Sequence, residues 1–128
     1  MFINLATIFV DDQDRARDFY TGKLGFEVHT DAGYDVAQRW LTVVSPERPD
    51  GPQLLLELAD GPSLDFQRAI RQGGKPAITL TTHDIQRDYE ALVAKGVEFS
   101  MPPTKMEYGG TDAVFDDTCG NRIGLHQD

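Results

Sequence analysis

Leu5–Val28, LATIFVDDQDRARDFYTGKLGFEV, decides the fold, because a cousin of it, Ala77–Phe99, AITLTTHDIQRDYEALVAKGVEF, returns later in the same chain. With Asp12 set on Asp84, an offset of 72, Arg15 falls on Arg87, Asp18 on Glu90 and Lys23 on Lys95. One residue dropped then brings Gly25 onto Gly96 and Glu27 onto Glu98. Each copy reads strand, capped amphipathic helix, glycine stop, strand. In the first, Leu5, Thr7 and Phe9 alternate with Ala6, Ile8 and Val10, the period of two that suits a strand. Asp11 or Asp12 caps the helix and suits its dipole. Ala16, Phe19, Tyr20 and Leu24 form one apolar stripe, and Gly25 ends it. In the second copy the stripe is Ile85, Tyr89, Leu92 and Val93, and the stop is Gly96. Two such units in one short chain predict a duplicated fold.

The remaining segments fit that plan. Phe26 to Thr30 is predicted as a strand, Asp31 to Asp35 as a turn, Gln38 to Val44 as a strand and Ser45 to Pro52 as a loop. Gln53 to Leu58 completes β-α-β-β-β. Residues 61–76 read as a linker, with about two turns of helix capped by Ser63. After Ala77 the order repeats: strand to Thr82, helix Ile85 to Ala94, strand Val97 to Ser100. Then come a proline-containing loop from Met101 to Tyr108, strand Thr111 to Phe115, a turn, and strand Arg122 to His126. The reading is one α+β domain over 1–128, with module one at about 1–60 and module two at 77–128.

Composition narrows the function. A net charge of −9 and scattered acidic residues argue against nucleic acid, which needs clustered cations. The single cysteine, Cys119, excludes an internal disulfide and suits a reducing compartment. No basic-then-apolar leader opens the chain and no apolar run approaches the ~20 residues of a membrane helix, so the expectation is a cytoplasmic protein with no membrane partner.

In its order of elements the chain resembles the vicinal oxygen chelate superfamily, which includes glyoxalase I, bleomycin-resistance proteins and extradiol dioxygenases. The likeness rests on FVDDQDRARDFYTGKLGFEV (Phe9 to Val28), LLLELADG (Leu54 to Gly61) and FDDTCGNRIGLHQ (Phe115 to Gln127). The last is similar to the family ending F-x-D-P-x-G-N-x-x-x-L, with Thr118-Cys119 where proline and a variable residue are usual. The resemblance implies two βαβββ modules forming curled mixed sheets around a cleft. It implies a homodimer. In the family's metal enzymes four His, Glu or Gln ligands point into the cleft, and the metal acts on a substrate oxygen or on water. Those positions fall here on Leu5, Glu57, Ala77 and Gly124. Only Glu57 carries a donor, and one carboxylate is too few for a divalent ion. The expectation is therefore no metal cofactor. His126, two residues beyond Gly124, adds at most a second donor; His29 and His83 add none.

Strand parity sorts the rest. Ala6, Ile8, Val10, Leu56, Leu58, Ile78, Leu80, Ile123 and Leu125 belong under the helices. Thr7, Phe9, Leu55, Glu57, Thr79, Thr81, Arg122 and His126 share the ligand positions' face, a mixed set of the kind that lines small-molecule pockets. The threonines are equally good strand formers on a wet face. Glu57 is a candidate general base, an anchor for a ligand cation, or a partner for Arg122. Trp40 and Tyr108 are candidates to stack on a flat ligand. Cys119 has no neighbouring base in sequence to activate it. Three functions stand: a small-molecule binder of the bleomycin-resistance type without the metal site; a glyoxalase-like lyase or isomerase using Glu57 as base, with or without a divalent ion; or a fold that binds no ligand and serves an interaction role.

Overall fold

The computed structural model describes residues 1–33 and 39–128. The two halves fold alike. The first holds β1 (Leu5–Val10), α1 (Gln13–Asp18) running into one π-helical turn (Phe19–Lys23), β2 (Glu27–Ala32), β3 (Trp40–Val44) and β4 (Gln53–Leu58). α2 (Pro62–Gln72) bridges to β5 (Ile78–Thr81), α3 (Ile85–Ala94), β6 (Phe99–Lys105), β7 (Thr111–Asp116) and β8 (Arg122–Gln127). The strand orders match, β1-β4-β3-β2 and β5-β8-β7-β6. In each, the first strand runs parallel to the last and the other pairs are antiparallel. This is the α+β duplication that the sequence predicts.

The repeat works residue by residue. Asp12 and Asp84 each accept a hydrogen bond from the backbone N–H three residues on, at 3.0 Å, and so cap α1 and α3. Gly25 and Gly96 end the two helical units at φ of 78° and 87°, where a Cβ would be strained. The first copy has one residue more between cap and glycine than the second. The π turn absorbs it, and both Phe19 and Tyr20 are buried. Lys23 and Lys95, aligned in the repeat, exchange hydrogen bonds: each Nζ donates to the other's carbonyl, at 2.5 and 3.3 Å. Each ammonium thus sits at the electronegative end of the other module's helix.

One apolar cluster joins the modules through the helix-bearing sides of both sheets. Ile8, Val10 and Leu56 pack in it with Phe19, Tyr20, Phe115, Ile123 and Leu125. The rings of Phe19 and Phe115 lie 6.1 Å apart. Gln67 of α2 donates to the carbonyls of both Phe9 and Cys119, at 2.7 and 2.9 Å, and so ties the two halves together.

Several expectations need correction. The linker helix has three turns, not two, and starts from Gly61; the Ser63 hydroxyl instead exchanges hydrogen bonds with the backbone of Asp60. The loop expected from Met101 is mostly strand, because β6 runs through Pro102 and Pro103 to Lys105. β6 is an edge strand and its register shifts on both sides of Met101, so the missing proline N–H groups break no regular ladder. β2 extends past Thr30 to Ala32, where Asp31 pairs with Arg17 and Arg39. Ala6 is exposed, because β1 is an edge strand. Gln38 and part of the expected 31–35 turn lie outside the described residues. Among the described residues no helix is long and apolar enough to cross a membrane.

Candidate functional site

Each sheet has a second face, on the side opposite the core that α1 and α3 cover. On the first sheet Thr7 pairs with Leu55, Phe9 with Glu57, and Leu55 with Thr42 of β3, so these side chains share that face. Trp40, two residues before Thr42, joins them at 46% exposure. Thr7 and Glu57 are exposed, Phe9 is half-buried, and Leu55 and Thr42 are buried. Phe9 meets Phe66 of α2 edge to face, with centroids 6.2 Å apart. The Thr42 hydroxyl is buried without a hydrogen-bond partner among the described residues. Thr42 was legible from the parity of Trp40, yet sequence reasoning passed over it.

On the second sheet Thr79 pairs with Gly124 and Thr81 with His126 on one side of β8; Val114 and Asp112 flank them on the other. Both threonines are exposed and Arg122 is half-buried. Arg122 sits level with Asp116, which is held by Arg71 of α2 at 2.5 Å. Glu57 and Arg122 lie on different sheets, and among the described residues they form no ion pair with each other.

The four positions where the family's enzymes carry ligands do not fit a metal ion. Leu5, Ala77 and Gly124 offer no side-chain donor. Glu57 stands level with Phe9, four residues along from Leu5, which pairs with Gln53. At Gly124 a Cβ would come within 2.7 Å of the Thr79 hydroxyl, so Thr79 occupies the space a ligating side chain would need. Among the described residues no group of three or more His, Cys, Asp or Glu is arranged to hold a metal.

His126 is paired at both of its ring nitrogens. Its Nδ1 lies 2.5 Å from Asp112 and its Nε2 2.8 Å from Asp128. Tyr108, in the turn between β6 and β7, donates its hydroxyl to the other oxygen of Asp112. Tyr108 thus anchors Asp112, a role the sequence did not suggest. Asp112 went unnoticed because only the β7–β8 register brings it to His126. The Asp112 and Asp128 carboxylates hold the His126 imidazole above its ordinary 6.5. Raised in the folded state, this group stabilises the fold fully below about 6.5, and the contribution fades as pH rises through the folded value. Side-chain NMR should find His126 titrating above 6.5, and Asp112→Asn should bring it down; an unmoved midpoint would mean that Asp112 does not hold the ring.

Cys119 is buried, and burial beside Asp117 pushes its thiol up to about 12, so it is no nucleophile at neutral pH. Asp117, buried too, accepts four hydrogen bonds: from Tyr20 Oη at 2.8 Å, Asn121 Nδ2 at 2.9 Å, and the N–H groups of Cys119 and Asn121 at 2.7 and 3.0 Å. The Asp and Asn of the FDDTCGN ending are therefore structural, and Asn121 also reaches the Phe9 carbonyl at 2.8 Å. Thr118 adopts φ +64°, which proline cannot, so this turn differs in shape from one built on the family's proline.

Comparison with known proteins agrees with this architecture. Residues 2–125 match the family model of the Glyoxalase/Bleomycin resistance protein/Dioxygenase superfamily. The uncharacterized protein YurT of Bacillus subtilis (strain 168) is 47% identical over 128 residues, covering 99% of each chain. Among solved structures, UcmS2 superposes with a TM-score of 0.83 at 35% identity, covering 98% of this chain and 97% of its own. TnmS3, an antibiotic binding protein from Streptomyces sp. CB03234, gives 0.78 at 29% identity, covering 99% and 95%. With a family model spanning nearly the whole sequence and the same paired sheets in solved relatives, this chain belongs to the glyoxalase/bleomycin resistance protein/dioxygenase superfamily.

Proposed function

We propose that this chain binds a small, largely apolar organic molecule on the open faces of its sheets, holds it without covalent chemistry, and uses no metal ion. The observation that carries the reading is the makeup of those faces. Three of the four family ligand positions lack donors, while half-buried Phe9 and exposed Trp40 offer apolar contact beside a few polar groups. That mixture suits recognition of an organic ligand. The antibiotic binding protein TnmS3, at 29% identity, supports the same class of ligand.

A second copy of the chain completes the cleft in this reading. The modules of one chain join through their helix-bearing sides, which leaves Thr7, Glu57, Thr79 and Thr81 exposed. Binding sites usually bury most of a ligand's surface, and a partner's sheet would supply the missing wall. The net charge of −9 argues against a nucleic-acid partner, and the single buried thiol suits the cytoplasm.

Two measurements test the reading. Elemental analysis after dialysis should find no stoichiometric Zn, Ni, Mn or Fe; about one retained ion per chain would overturn the metal-free part. For the site, Glu57→Gln keeps size but removes charge, and charge-assisted hydrogen bonds are roughly twice as strong as neutral ones. Calorimetry with a ligand found by screening should show binding weakened at least about tenfold, roughly 1.4 kcal/mol. Unchanged affinity would remove Glu57 from the site.

A further inference from the structure

The second sheet's open face carries a feature that the small-molecule reading does not by itself require. We infer that His126 is a carboxylate-recognition point, and that the carboxylate of a bound ligand takes the place at Nε2 that the Asp128 side chain holds. This rests on the small-molecule reading and names the chemistry of one end of the ligand.

The protonation of the ring follows from its neighbours. Nδ1 faces a carboxylate oxygen of Asp112 at 2.5 Å, and Nε2 faces one of Asp128 at 2.8 Å. An ionised carboxylate only accepts, so both ring nitrogens donate and the ring is an imidazolium. The two carboxylates are held very differently. The Asp112 side chain is 20% exposed, lies on β7 opposite His126, and also accepts from Tyr108. The Asp128 side chain is 98% exposed, and its contact to His126 is the single side-chain hydrogen bond it makes among the described residues. Asp112 is thus a built-in counter-ion that fixes the ring. Asp128 is an exposed occupant, and exposed ion pairs contribute little, so a better-held carboxylate displaces it.

The ring is also fixed by shape. At Gly110 a Cβ would fall 2.6 Å from His126 Cε1, so the β6–β7 turn lies directly against the imidazole. Beside it, Gly124, two residues back on β8 and roughly 6–7 Å away, is buried under the Thr79 side chain, with Val114 on its other flank. A flat carbon skeleton lies against Thr79 and Val114 while its carboxylate reaches Nε2. The ligand class is therefore a carboxylic acid on a planar, mainly apolar framework, and the bond it makes is charge-assisted.

The test uses a matched pair, 2-naphthoate and its uncharged relative 2-naphthamide, titrated into the full chain by calorimetry, with the His126 side-chain NMR signals followed in parallel. The acid should bind at least about tenfold tighter than the amide and shift the Nε2 signal. Asp128→Asn, at an exposed position that should not disturb folding, removes the competitor. It should tighten the acid severalfold and leave the amide unchanged. His126→Gln should make acid and amide equal. Equal binding of the pair to the wild type, binding of neither, or an acid affinity that ignores Asp128→Asn would overturn the inference. If a neutral compound from a wider screen binds wild type and His126→Gln alike, this inference falls while the small-molecule reading stands. If no compound of any kind binds, both fall.

Discussion

Asp117→Ala is expected to lower the free energy of unfolding by about 3–5 kcal/mol, as removal of one partner from a buried charged network does. The carboxylate is the hub on which the second module's last turn closes and on which the first module docks. It is fully buried and accepts from the backbone of Cys119 and Asn121, from Asn121 Nδ2 and from Tyr20 Oη. Burial pushes its carboxyl above the ordinary range, against the hydrogen bonds that hold its charge. With the side chain gone, the Tyr20 hydroxyl and two backbone N–H groups lose their acceptor in a dry interior, at about 1–3 kcal/mol for each unpaired group. Tyr20→Phe should cost less, because it removes the donor together with its need. The two effects should not add, since both break one network. Urea denaturation of the single and double variants measures all of this. A loss under about 1 kcal/mol for Asp117→Ala would mean that the turn closes without it.

Leu56→Ala should cost about 2–5 kcal/mol, the usual range for a buried leucine cut to alanine. Leu56 is fully buried between the helices and the first sheet, in the cluster that both modules share. Thr79→Ala should cost far less, because Thr79 stands on the exposed face of β5. The pair tests the assignment of sheet faces from which the candidate site is built. If chemical denaturation ranked Thr79→Ala as the more damaging, the faces would be reversed and the open-face residues would be core.

Much of the fold was legible because local signals repeat. The Asp12 and Asp84 caps, the Gly25 and Gly96 stops and the alternation in β1 and β4 need no distant partner to be read. Even the single extra residue in the first copy was visible as a gap in the repeat, and it became the π turn at Phe19–Lys23. What failed depended on context. Pro102 and Pro103 read as loop, since only sheet order tells that β6 is an edge where prolines are tolerated. Ala6 read as core because alternation does not reveal which strand lies at the margin. The candidate site was half legible. Parity assigned Thr7, Phe9, Glu57, Thr79, Arg122 and His126 to one kind of face. It was silent on Asp112, whose meeting with His126 depends on the β7–β8 register, and on Thr79 filling the space at Gly124.

The central claim, a small-molecule binder that works without a metal, is tested most directly by one thermal-shift screen run twice. The protein is dialysed against chelator and screened against apolar natural products and antibiotics, then screened again with added Zn, Ni, Mn or Fe. A ligand bound only by the folded state stabilises it by about 2.7 kcal/mol at a hundred times its Kd. The account predicts at least one compound that raises Tm by the same amount with chelator and with metal. Compounds that raise Tm only when a divalent ion is present, with the ion itself raising Tm, would contradict it.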